Sequence, residues 1–242
     1  LPRTGIVEYS YKDLPIDPYC LGAWLGDGTA TLGRINSGHE DVDFMRSQFD
    51  QAGYVTTDQK DTRNFGVLGI RAKLIKMGLY NNKWIPSGYL ISSVSQRMAL
   101  IQGLMDTDGN VTKRGQCAFD NTNLRIVQGL KEVLSSLGTH CSINTIIDKR
   151  ERWGSTKPTY RLNFQMKDCF RLPRKRTRTV ALARKSYRKL SIEKTDLRGD
   201  VQCITVDRED GLFLIGNGYV VTHNSEQEGQ SLDPKVFDKT YE

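Results

Sequence analysis

The sequence predicts an α+β protein built on an internal pseudo-twofold repeat, with a short β-rich end added after it. Three observations carry that expectation. The stretches "CLGAWLGDG" and "IQGLMDTDG" each end an apolar helical run in Asp-Gly, and their last aspartates, Asp27 and Asp108, stand 108 − 27 = 81 residues apart. Hairpin-like sequence, an amphipathic helix and a closing glycine follow each aspartate, Gly53 coming 53 − 27 = 26 residues later and Gly138 coming 138 − 108 = 30. Beyond Gly199 the pattern changes to short runs rich in β-branched residues. One Asp-Gly is an ordinary turn. Two of them, each closing an apolar helix inside a repeated unit, are much more informative.

Each element has its own local signal. Residues 1–18 are polar and Pro-punctuated and read as an entry segment. Asp17-Pro18 supplies a helix N-cap and a proline at the first helical position, and Gly26-Asp27-Gly28 stops that helix. "TATLGR" then begins a hairpin. In "DVDFMRSQFDQAGY" the apolar positions Val42, Met45, Phe49 and Ala52 keep helical spacing up to Gly53. The second unit repeats the order in "SVSQRMALIQGLMDTDGNVTKRGQCAF". It continues in "NLRIVQGLKEVLSSLG", whose Ile126, Leu130, Val133, Leu134 and Leu137 share one face. Residues 171–198 carry eleven Lys and Arg against only Glu193 and Asp196, as a linker, a DNA-contacting arm or a solvated helix face would. After them come "VQCITV", a turn "DREDG", "LFLIG", an Asn-Gly turn and "YVVTHN".

Bulk composition narrows the class. Of 242 residues, 38% are hydrophobic and 26% charged, which supports a packed core and argues against wholesale disorder. The net charge of +7 suits a polyanionic partner, nucleic acid first, though a solvated basic surface carries the same sign. No stretch approaches the length of a membrane span. Five cysteines with no C-x-x-C pair fit a reducing compartment, the cytoplasm of a bacterial or phage-infected cell, and not a disulfide framework or a zinc site.

The two Asp-Gly stretches resemble the paired motifs of LAGLIDADG homing endonucleases. Gly22 and Gly103 fall on the motif's central glycine, and Asp27 and Asp108 on its last, metal-binding acidic position. The earlier acidic position holds Leu25 in one copy and Asp106 in the other. The resemblance implies two helix–hairpin–hairpin–helix repeats, with hairpins forming a concave sheet over a DNA groove. Small residues let the two motif helices approach closely and bring their acidic tips together. Two adjacent carboxylates repel each other, and divalent cations relieve the repulsion. By the resemblance the metal site comprises Asp27, Asp108, Gly26 and Thr107, holds Mg2+, and serves hydrolysis of a phosphodiester in a long double-stranded DNA site. Lys83 in "KWIP" matches the Lys-x-Ile-Pro stretch of intein endonucleases, whose lysine aids cleavage.

Such a unit followed by "LFLIGNGYVVTHNS" has the order found in inteins. The resemblance assigns Asn224 to side-chain cyclisation, His223 to proton transfer, and Ser225 to acyl acceptance as the first residue of the host protein. The usual aspartate of the C-terminal splicing segment is replaced by Cys203. Cys203 together with Thr222 resembles the class 3 inteins, in which this cysteine attacks the upstream splice junction. The alternative for Cys203 is a small buried hydrophobe. The implied division is an entry segment from a Hedgehog/intein (HINT) splicing domain at 1–18, the endonuclease at 19–170, a basic linker or DNA-contact arm at 171–198, splicing strands at 199–224 and a C-extein at 225–242. The chain then resembles the C-terminal part of an intein, as half of a split intein or a processed fragment, and needs an upstream β-rich half to splice. The tail resembles a segment of phage terminase-like ATPases. Competing readings are a stand-alone LAGLIDADG endonuclease or RNA maturase, and an intein whose endonuclease no longer cuts.

Overall fold

The computed structural model describes residues 4–147, 158–180, 193–194, 196, 204–207, 209–216 and 218–223. The first helix, α1 (Pro18–Asp27), starts where the sequence says it must: the Asp17 carboxylate accepts from the Cys20 amide, and proline occupies the first turn. Residues Pro18 through Leu25 are all buried, so α1 has no solvent face. After it come β1 (Arg34–Asn36), α2 (Val42–Gln51), β2 (Thr56–Asp58), β3 (Asn64–Val67) and two short helices, α3 (Ile70–Lys76) and α4 (Ser87–Leu90).

The second unit opens with α5 (Val94–Asp108). Ser93 and Gln96 form a reciprocal capping box at its start. It continues with β4 (Gly109–Val111), β5 (Cys117–Asn121), α6 (Leu124–Ser136), β6 (Cys141–Ile146), β7 (Thr159–Phe164) and α7 (Pro173–Arg176). The expected apolar face of α6 is buried at Ile126, Leu130, Val133, Leu134 and Leu137, and Val127 is buried with them. Gly138, at φ +71°, takes the left-handed position that closes it.

The repeat is visible in the sheets. The second unit orders its antiparallel strands β4-β5-β7-β6. The first orders them β1-β3-β2, and Gly28 bridges Ile35 where β4 would lie. Gly28 and Gly109 are again 109 − 28 = 81 residues apart. One expectation is corrected here. The second helix of each unit lies between its two hairpins, not after both, giving helix–β–β–helix–β–β. That arrangement makes the second and fourth strands sheet neighbours and packs the intervening helix over the sheet's inner face.

At the start of the basic run from 171, Leu172 is buried and α7 sits against the end of α5. Near the C-terminus, β8 (Phe213–Ile215) and β9 (Val220–Thr222) pair as the expected antiparallel hairpin. Residues 204–206 of the expected preceding strand are not assigned to a strand, and 201–203 lie outside the described residues. No helix among the described residues is long and apolar enough to cross a membrane.

Candidate functional site

The candidate centre is the place where α1 and α5 end together. The helices approach until backbone meets backbone. A Cβ on Gly22 would lie 2.3 Å from the Leu100 carbonyl oxygen, and one on Gly103 would lie 2.1 Å from that of Tyr19. Any side chain at either position would force the helices apart. One turn further on, a Cβ on Gly26 would stand 2.0 Å from Thr107 Oγ1. Small residues in this pattern therefore set the spacing of the aspartates that follow them.

Asp27 and Asp108 face each other closely enough to share a proton. Burial, and then the charge of Asp27, push the Asp108 carboxyl up to about 6, although Asn121 and Lys83 pull the other way. Burial raises Asp27 as well, against the pull of Lys83 and Lys175. Asn121 donates from Nδ2 to Asp108 Oδ2 at 2.8 Å and fixes that carboxylate's rotamer.

Two lysines close the helix ends. Lys83 Nζ donates to the carbonyls of Gly28 (2.7 Å), Leu25 (3.1 Å) and Gly26 (3.2 Å). Lys175 Nζ donates to those of Asp106 (2.8 Å), Gly109 (2.8 Å), Met105 (3.2 Å) and Thr107 (3.4 Å). Adding 81 to residues 25, 26 and 28 gives 106, 107 and 109, so the lysines bind equivalent carbonyls in the two repeats. Both sit at helix C-termini, where orphan carbonyls and the negative dipole end favour a cation. Burial draws Lys83 down to about 8 and lowers Lys175 as well, while Asp108 and Asp27 oppose the fall at Lys83. The Lys83 ammonium also lies 4.9 Å above the Trp24 ring.

The donor set fits a hard divalent ion. Two carboxylates that are costly to ionise together would be relieved by one, and the carbonyls of Gly26 and Thr107 take the longer lysine contacts, leaving acceptor capacity. Among the described residues no group of three or more His, Cys, Asp or Glu could hold a metal. A magnesium-type shell of one or two carboxylates completed by water and phosphate suits that poverty of ligands.

Sequence reasoning placed Asp27, Asp108, Gly26, Thr107 and Lys83, and the structure brings all five together. It missed Lys175, Asn121 and the task of Asp106. Buried Asp106 accepts from Tyr19 Oη at 2.8 Å and from the amides of Arg171 and Leu172 at 3.1 Å, fastening the strand of chain that delivers Lys175. Lys175 was hidden in the basic run because the units differ in length. Lys83 follows its aspartate by 83 − 27 = 56 residues, and Lys175 follows its own by 175 − 108 = 67. A cavity of about 190 Å³ opens beside this centre, lined by Asp27, Thr107, Lys175, Arg174 and Asp41.

Two of the residues assigned to splicing are among the described residues. Thr222 ends β9 half-buried, and His223 follows it exposed. Cys203, Asn224 and Ser225 lie outside the described residues.

Comparison with known proteins adds four findings. A family model described as a LAGLIDADG-like domain matches residues 95–191. The replicative DNA helicase DnaB of Mycobacterium intracellulare is 35% identical over 232 residues, covering 91% of this chain; the chain spans 38% of that protein's length. Among solved structures, a mesophilic variant of the homing endonuclease I-DmoI is similar at 20% identity and a TM-score of 0.42, over 64% of this chain and 90% of that one. I-DmoI in complex with DNA and Mn is similar at 19% identity and a TM-score of 0.43, over 62% of this chain and 89% of that one.

Proposed function

We propose that this chain, with its LAGLIDADG-like domain, is part of an intein that cleaves double-stranded DNA with Mg2+ and splices itself out of a DnaB-type helicase. The observation that carries the nuclease reading is the pair of buried, mutually repelling carboxylates Asp27 and Asp108 at the tips of helices in glycine-mediated contact. When bound there, a divalent ion supplies charge neutralisation at the scissile phosphate and acidifies its water. The chain's own groups do the rest. Asp27 and Asp108, with the Gly26 and Thr107 carbonyls, would hold the ion. Asn121 orients Asp108. Lys83 and Lys175 keep positive charge beside the position of the phosphate, and Lys83, with its pKa drawn down to about 8, can exchange a proton near neutrality. The net charge of +7 and the exposed positions along β6 suit a DNA duplex.

The helicase similarity supports the host assignment. A nuclease-like chain that matches most of its own length to a minor part of a helicase sequence is accounted for by an insertion within that helicase. It favours a helicase over the terminase-like ATPase for residues 225–242. Splicing would use Cys203 with Thr222, then Ser225, then cyclisation of Asn224 assisted by His223, together with an upstream β-rich half. The alternatives of a stand-alone endonuclease or RNA maturase give no task to Cys203, Thr222, His223 and Asn224 in that order.

The test is incubation of the chain with linear duplex DNA spanning the helicase gene's uninterrupted insertion point. We expect Mg2+-dependent cutting, lost in Asp27→Asn plus Asp108→Asn. Cutting that persists in the double variant sinks the assignment of the two aspartates.

A further inference from the structure

Arg97 is a buried cation that the nuclease centre does not use. It lies in the first turn of α5, far along the helix from Asp108, and is fully shielded from solvent. Every hydrogen bond it makes among the described residues goes to a neutral oxygen. Nε donates to the Ser92 carbonyl at 2.8 Å, and the two terminal nitrogens donate to Ser136 Oγ and to the Val7 carbonyl. Its guanidinium carbon is 4.9 Å from the Tyr9 ring centroid. Glu8 of the entry segment supplies the nearby negative charge, but burying a cation whose hydrogen-bond acceptors are all neutral is costly unless each donor is answered, and one of the answers comes from the entry segment too. The same segment is pinned again by Val7, whose amide donates to the Ser136 carbonyl at 2.8 Å.

The terminal hairpin joins the same junction. Thr4 Oγ1 donates to the Tyr219 carbonyl, and the Tyr219 side chain lies beside that of Tyr9 with Glu132 of α6 and Arg97 close by. Tyr219 has φ +51°, a left-handed backbone that a non-glycine residue keeps only when its surroundings hold it there. A two-stranded hairpin has little stability of its own, so β8–β9 needs such a support.

We infer that the second repeat carries an intramolecular docking site, centred on Arg97, which fastens the entry segment and the terminal hairpin side by side on the nuclease fold. Arg97 holds Val7, the entry segment holds Tyr219 through Thr4 and Tyr9, and Tyr219 sets the turn from which β9 runs to Thr222 and His223. The nuclease is thus a scaffold for the chain's two outer segments as well as a DNA-cleaving unit. The consequence for splicing rests on the reading above; the docking itself does not.

Hydrogen exchange read by mass spectrometry on the whole chain tests this. In Arg97→Met, amides of residues 5–9 and 213–222 should exchange at least about tenfold faster, while DNA cleavage stays within about threefold of wild type. Should Arg97→Met fail to fold, Tyr219→Phe removes only the hydroxyl contact to Tyr9 and should still speed exchange in the hairpin by about threefold. Unchanged hairpin exchange in the variants that fold overturns the inference, as does acceleration in one segment without the other in Arg97→Met. Release of residues 225–242 is followed in parallel. If wild type supplied with an upstream splicing half releases no tail, the splicing reading fails, whereas the exchange result still decides the docking.

Discussion

Replacing Asp108 by asparagine should make the metal-free protein more stable while it destroys cleavage. Asparagine keeps the shape of the side chain. Its carbonyl oxygen can still accept from Asn121, and its NH2 can donate to Asp27. What disappears is the cost of a second negative charge in a buried place. Asp108 titrates near its usual 3.8 when unfolded and at about 6 in the fold, net of the help from Asn121 and Lys83. A gap of about two pH units is worth roughly 3 kcal/mol once the group is fully ionised. Because the folded carboxyl binds its proton more tightly than the unfolded one, stability falls as pH rises from about 4 to about 6 and stays low above that. The penalty is absent below about pH 4, where both states hold the proton. Asp108→Asn should therefore raise the urea midpoint at about pH 7 by an amount equivalent to about 1–3 kcal/mol, with an unchanged m-value, and leave it alone near pH 4. The comparison belongs below about pH 7, since Lys83 begins to titrate at about 8 and carries its own slope. Saturating Mg2+ should stabilise wild type and not the variant, because only the intact pair binds it well. A variant no more stable than wild type near pH 7, or equally shifted at pH 4, would falsify the view that charge repulsion at the tips is what the metal relieves.

Two further expectations probe the rest of the centre. Gly103→Ala drives a methyl toward the Tyr19 carbonyl oxygen at 2.1 Å, a backbone atom that cannot rotate away, so urea denaturation should report a loss of about 3 kcal/mol; an unchanged midpoint would mean that the helices do not pack this closely. Lys175→Met removes the cation from one helix tip and leaves Lys83 at the other, so supercoiled target plasmid should accumulate as nicked circles, with the second cut slowed about 100-fold; equal rates for both strands would show that the lysines do not serve separate tips.

Much of this molecule follows from local chemistry. Asp17-Pro18 fixes the start of α1, Ser93 with Gln96 fixes that of α5, and Gly53 and Gly138 fix the closures of α2 and α6, because caps and left-handed turns are decided by neighbours within a few residues. The repeat of 81 residues placed Asp27 and Asp108 on equivalent helix tips, and the glycines before them told how near those tips had to come. Asp106, Asn121, Lys175 and Arg97 were beyond that reach. Each takes its meaning from a partner delivered by chain crossing: Asp106 from amides 65 and 66 positions away, Arg97 from a carbonyl 90 positions away. A polar side chain carries no periodicity that announces its partner, and a basic run reads alike whether its lysine caps a helix or faces water. Backbone conformation is chosen locally and shows in the sequence; the satisfaction of buried charge is chosen by the whole fold, and only the packed structure reveals it.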